Sequence, residues 1–169
     1  MFSMINRTAF SLALAAAVLA GSANASWAES ALAKKETIHR CLLQIYVSQR
    51  KGEAAGEYNA LLAMKPADGQ LHYDYANFLL RGGNNAAAAG QYRLATKYQP
   101  RNADFQIGLG NALLHAKDYN GAVNAYRRAV EIGGATGTQS PTDLLNRALQ
   151  YQQQQTNFEN YKKQQKDNE

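Results

Sequence analysis

A repeat period of about 34 residues limits what this chain can become more than any other feature. Small residues pair at that offset in Ala76 and Gly110, Ala88 and Ala122, and Ala95 and Ala129. Asn77 and Asn111, Leu80 and Leu114, and Tyr92 and Tyr126 repeat at the same offset. A fixed period of this size marks an array in which one supersecondary unit is used again. The period also runs backwards, because Ala54, Tyr58 and Pro66 stand one period before Ala88, Tyr92 and Pro100. The windows are residues 35–68, 69–102 and 103–136. The first is degenerate, with Leu42 where the later two have Ala76 and Gly110.

Each window reads as a helical hairpin. Leu109, Leu113 and Ala116, then Ala122, Tyr126, Ala129 and Val130, fall at helical spacing on either side of a turn. Turns are expected at Lys51-Gly52, at Gly82 to Asn85 and at Lys117-Asp118. Gly82 and Gly83 suit a helix C-terminus that needs positive φ, and Pro66 and Pro100 stop second helices. Gly110 and Ala122 are expected to let two helix axes approach. Tyr92 and Tyr126 are expected to fill space toward the next hairpin. A single hairpin cannot cover its own apolar face, but stacked hairpins bury a continuous core.

Beyond the last window, Ser140, Pro141 and Asp143 make a helix start. Leu144, Leu145, Ala148, Leu149 and Tyr151 form an apolar stripe, which predicts a capping helix over 140–160 and a flexible tail over 161–169. Residues 26–34 read as an N-terminal extension of the first helix. The expected fold is all-α: a solenoid of about three hairpins with a C-terminal capping helix.

The third window resembles a tetratricopeptide repeat. Leu109, Gly110, Tyr119, Ala122, Tyr126 and Ala129 stand where that family has its leucine, glycine, two aromatics and two alanines. The second window keeps Ala76, Ala88, Tyr92, Ala95 and Pro100 but has Asn85 where an aromatic is usual. The third has Gln106 where tryptophan is usual and Gly134 where proline is. The first keeps Ala54, Tyr58 and Pro66.

The N-terminus reads as a secretory leader. Arg7 is followed by the apolar run Ala9 to Ala20 and by Ala23-Asn24-Ala25, a small-x-small pattern that predicts cleavage after Ala25. The rival reading, an uncleaved anchor, needs about 20 apolar residues, and Ser22 and Asn24 cut this run short. The chain is therefore expected in the periplasm or outside the cell, with no membrane insertion after cleavage. Loss of residues 1–25 removes only Arg7, taking the formal charge from +5 to +4. The cations Lys34, Lys35, Arg50, Lys51, Arg93, Lys97, Arg127 and Arg128 are scattered rather than massed in one stripe, which argues against nucleic acid as partner. Cys41 has no second cysteine to pair with. Its apolar neighbours favour a buried thiol over an intermolecular bridge.

No catalytic constellation emerges. His39, His72 and His115 occupy different places in their windows, and none pairs with another at metal-ligand spacing. Neither a metal nor a cofactor is expected. Glu53 and Glu57 read as a solvated helix face. No nucleophile, base and orienting group assemble, so the chain reads as a non-enzyme. The resemblance implies instead a concave groove lined by first helices that takes a protein or peptide partner: His39, Leu43 and Tyr46 from the first window, Tyr73, Asn77, Leu80 and Arg81 from the second, and Ile107, Asn111, Leu114 and His115 from the third. An amide at Asn77 and Asn111 can donate and accept together. The two match the asparagines of the family's carboxylate-binding clamp, but Tyr73 and Ile107 stand where the clamp has lysines. The apolar members suit a peptide or helix with apolar anchors. An alternative is a self-assembling envelope component, with Phe158, Tyr161 or the first helix joining copies.

Overall fold

A computed structural model describes residues 23–49, 52–133 and 140–167. Residues 1–22 of the leader expected over 1–25, the turn residue Lys51 and Gly134 lie outside the described residues. Within them are seven helices: α1 (Ala23–Ser48), α2 (Ala54–Met64), α3 (Gly69–Arg81), α4 (Asn85–Tyr98), α5 (Ala103–His115), α6 (Tyr119–Ile132) and α7 (Pro141–Asp167). The all-α, solenoid-like expectation is met. None of the described helices is long and apolar enough to cross a membrane.

The chain divides after Met64 into two compact units. The first is the α1–α2 hairpin. Ala54, Tyr58 and Leu61 bury one stripe of α2. Along α1, His39, Leu42, Leu43, Tyr46 and Val47 form a half-buried stripe, and His39 Nδ1 meets Glu57 Oε2 of α2 at 2.5 Å. Glu57 is therefore half-buried and paired rather than simply solvated. Cys41 is exposed, contrary to the burial expected from its neighbours. Those neighbours explain it: Cys41 lies with Ile38 and Ile45 on a different stripe of α1, and both isoleucines are themselves exposed.

The second unit carries two hairpins and the cap. Its core is unusually rich in alanine: Ala76, Ala88, Ala89, Ala112, Ala122, Ala125 and Ala148 surround Tyr92, Leu109, Leu113, Val123, Tyr126 and Leu144. The sequence period recurs in the helix ends. Asp68 and Asn102 are N-caps of first helices, accepting from Leu71 N and Phe105 N. Asn84 and Asp118 cap the second helices, accepting from Ala87 N and Gly121 N. Such a cap contributes about 1 kcal/mol.

The two turns are also superposable in their bonding. Asn84 N donates to Leu79 O and Gly83 N to Leu80 O; Asp118 N donates to Leu113 O and Lys117 N to Leu114 O. This paired closure needs a left-handed residue. It is Gly83 (φ 79°) in one hairpin and Lys117 (φ 62°) in the other, whereas Gly82 is right-handed. A lysine there has a Cβ close to the following carbonyl, which costs about 1–2 kcal/mol. Lys117→Gly is therefore expected to raise stability by about 1 kcal/mol despite the added chain entropy, as urea denaturation would show; a loss of stability would contradict the turn geometry.

The tyrosines differ in detail from their expected role. Tyr92 does reach the next hairpin, where its ring occupies the space a Cβ on Gly108 would need. Tyr126 instead lies on Gly110 of its own hairpin. The glycine is needed for a ring, not for bare helix-to-helix contact.

The cap is present, and Ser140 Oγ accepts from Thr142 N as an N-cap should. Leu144 and Ala148 are buried. The stripe is narrower than expected, however, since Leu149 and Tyr151 are exposed. Tyr151 still stacks on Tyr119 of α6, with centroids 5.9 Å apart. The helix also continues to Asp167 instead of ending at 160. Nothing after Pro141 stops it, because the sequence holds no further proline or glycine and is full of Gln, Lys and Glu, which favour helix.

Candidate functional site

Asn77 and Asn111 sit half-buried at equivalent places on α3 and α5. Each is held by the second helix of its own hairpin. Tyr92 Oη donates to Asn77 Oδ1 at 2.7 Å, and Tyr126 Oη donates to Asn111 Oδ1 at 2.6 Å. Both tyrosines are buried. The pairing fixes which way each amide points. Its oxygen faces the core hydroxyl, and its nitrogen keeps two N–H donors with no acceptor among the described residues. From sequence, each amide is expected to offer a ligand both a donor and an acceptor. The acceptor is already engaged, so what remains is a pair of donors, one in each hairpin of the second unit. The tyrosine hydroxyls are orienting groups that the sequence reading missed, although Asn and Tyr co-repeat at one constant separation in the two windows.

The hydroxyls remain protonated donors far above neutral pH. Burial pushes Tyr92 well above the ordinary phenol range, with Tyr73 adding to the rise and Arg81 opposing it. Burial likewise pushes Tyr126 up to about 12, with Arg147 opposing. A pKa raised on folding gives stability that is complete below the unfolded value, about 10, and that is lost as pH climbs through the folded value. Stability should therefore fall between about pH 10 and 12. The fall should be shallower in Tyr126→Phe, as followed by helical circular dichroism; equal slopes would contradict it.

The apolar members surround the two amides. Tyr73, Leu80, Ile107 and Leu114 are partly buried against the core of the second unit. Tyr73 is itself a seam between hairpins: its ring stacks on Phe105 (4.7 Å, 19°) and meets Tyr92 edge-on (5.6 Å). Arg81 and His115 are exposed in the last turns of α3 and α5. His39, Leu43 and Tyr46 belong to the first unit, where all are half-buried and His39 is bonded to Glu57.

His72 is taken up by packing. It is 5% exposed. Its Nδ1 lies 2.8 Å from Gln91 Oε1 and its Nε2 3.0 Å from the Pro66 carbonyl. Its ring stacks on Tyr98. Among the described residues no three His, Cys, Asp or Glu side chains converge as a metal site would require.

Comparison with solved structures returns the same architecture. The chain is similar to the Sgt2 TPR domain from Aspergillus fumigatus, with a TM-score of 0.63 at 21% identity, covering 73% of this chain and 82% of that one. It is similar to the first TPR of Spaghetti bound to the HSP90 peptide SRMEEVD (TM-score 0.60, 20% identity, 69% and 92% covered). It also resembles the TPR2B domain of yeast Sti1 in a pHsp70 complex (TM-score 0.58, 18% identity, 72% and 98% covered). No curated protein matches the sequence. The tetratricopeptide repeat family model matches residues 46–97 and 79–136, together more than half of the chain, and with the recurring caps, turns and Tyr–Asn pairs this places the chain in the tetratricopeptide repeat family.

Proposed function

We propose that this chain is a non-catalytic, exported adaptor that holds a protein or peptide partner along its first helices, within envelope assembly or secretion. The observation that carries the reading is the repeated Tyr–Asn pair: two amides, each fixed by a buried hydroxyl, present N–H donors to a ligand beside half-buried Leu80, Ile107 and Leu114. Carbonyls along an extended peptide are the natural acceptors for such a pair, and apolar anchors supply the contact area. The absence of lysine at Tyr73 and Ile107 weighs against a terminal carboxylate as the main determinant. Two similar structures carry peptide or chaperone partners in their names, which fits a peptide-holding role. The leader-like N-terminus supports export.

Asparagine-to-alanine changes would orphan the Tyr92 and Tyr126 hydroxyls and cost about 1–3 kcal/mol each. Asn77→Asp and Asn111→Asp keep the acceptor and delete the N–H donors. Combined with exposed His115→Glu, they should lower capture of the partner by tenfold or more in affinity purification from cells while the thermal melt stays within a few degrees. Unchanged capture contradicts the first-helix assignment. The intact mass of the same bait reports export: a chain beginning at Ser26 is expected, and an unprocessed chain beginning at Met1 contradicts it.

A further inference from the structure

Among the described residues of the second unit, Gln106 on α5 is the one buried side chain with polar atoms left unused. It is 4% exposed, yet its amide makes no hydrogen bond among the described residues. No fully buried side-chain nitrogen or oxygen there lacks a partner, so the amide atoms must reach open space. That space is a cleft of about 590 Å³ between α4 and α6, with Gln106 and Leu109 of α5 in its lining. Its charged lining is Arg93 and Lys97 of α4 and Arg128 and Glu131 of α6, with Thr96, Pro100 and Ile132 between them. An adjoining hollow shares Arg93, Gln106, Arg128 and Glu131 and adds Arg127. Gln106 occupies the place where related repeats carry tryptophan. An amide is smaller than an indole, so the side chain at this position fills less space. Five residues separate Gln106 from Asn111, which on a helix is a rotation of about 140°. The cleft and the first-helix face are therefore different surfaces.

The chemistry of this cleft is specific. Arg93, Lys97 and Arg128 face one acid, Glu131, leaving a surplus of two positive charges. Guanidinium groups take carboxylates in a two-point geometry that an ammonium cannot match. A primary amide at the base offers one acceptor and two donors, the complement of a peptide group. Because its polar atoms open on the cleft and make no hydrogen bond within the described residues, the amide is free to bond a ligand there without giving up an internal partner. We propose that the α4–α6 cleft binds an acidic peptide segment of a partner protein, with a main-chain amide on Gln106 and flanking carboxylates on Arg93 and Arg128. Glu131 disfavours a carboxylate at its own end of the cleft and so sets the register.

The test uses the full chain and fluorescein-labelled octaglutamate, followed by fluorescence anisotropy at low and at physiological salt. Wild type binds. Affinity falls tenfold or more in Gln106→Trp, which fills the cleft without changing charge, and in Arg93→Glu/Arg128→Glu. Lys163→Glu/Lys166→Glu, an equal change of charge on α7, keeps wild-type affinity. If Gln106→Trp melts early, Gln106→Leu serves as the second cleft variant. Failure of wild type to bind overturns the proposal. So does wild-type affinity in both Gln106 variants, which would mean loose attraction to surface charge. Displacement by glutarate or inorganic phosphate at the peptide's own concentration would assign the cleft to small anions instead. A dimer in sedimentation that Gln106→Trp dissociates would assign it to a second copy of the chain. Failure here leaves the first-helix reading untouched, because that reading uses different residues.

Discussion

Gly110→Ala is expected to destabilise the chain by about 3 kcal/mol, the upper range for overpacking a tight core. The direction is informative, because glycine to alanine inside an ordinary helix stabilises by about 1 kcal/mol. Here the added Cβ would sit 2.5 Å from Tyr126 Cε1, and two further ring atoms lie within 2.8 Å. The ring has no room to retreat. Tyr126 is 0% exposed, and its hydroxyl is bonded to Asn111, the residue next to Gly110. Gly90 on α4 supplies the control, since a Cβ there meets nothing within 4 Å. Gly90→Ala should stabilise by about 1 kcal/mol. Urea denaturation of the two variants settles the matter: if both move in the same direction, the close approach of Tyr126 to α5 is wrong.

Tyr126→Ala is expected to cost more, about 4 kcal/mol, in line with loss of a buried aromatic side chain. Tyr126→Phe removes only the hydroxyl and should cost about 1 kcal/mol, because Asn111 is half-buried and its freed oxygen can turn to water. The two sites share one contact, so their effects should not add. On a Tyr126→Ala background the ring that excludes a Cβ is gone. Gly110→Ala should then be neutral or mildly stabilising, a coupling of about 3 kcal/mol. A double-mutant cycle by chemical denaturation measures it, and additive losses would contradict the packing described.

Most of the array was legible because its strongest signals are small residues at a fixed offset. Ala88, Ala95, Ala122 and Ala129 are all fully buried. Pairs across a hairpin were harder. Comparing windows aligns Asn77 with Asn111 and Tyr92 with Tyr126, but it does not show that the members of each unit bond to one another. Thus the asparagines were recognised as a recurring feature while their orientation was not. Cys41 misled because neighbours along a helix point to different faces. Glu57 misled because a carboxylate's spacing from Glu53 says nothing about a histidine on another helix. Lys117 gave no sign of its left-handed backbone, since lysine does not advertise that conformation as Gly83 does. The length of α7 was underestimated because a polar, glutamine-rich segment shows no apolar stripe, although its residues are good helix formers.

The central claim is that the first helices hold a protein partner. Site-specific photo-crosslinking tests it most directly. p-Benzoylphenylalanine would be placed at exposed Arg81 on α3, at exposed His115 on α5 and, as a reference, at exposed Gln150 on α7. On irradiation in cells, a discrete adduct of one partner is expected from positions 81 and 115 and not from 150. An adduct from position 150 alone, or none from the two first-helix positions, would contradict the account.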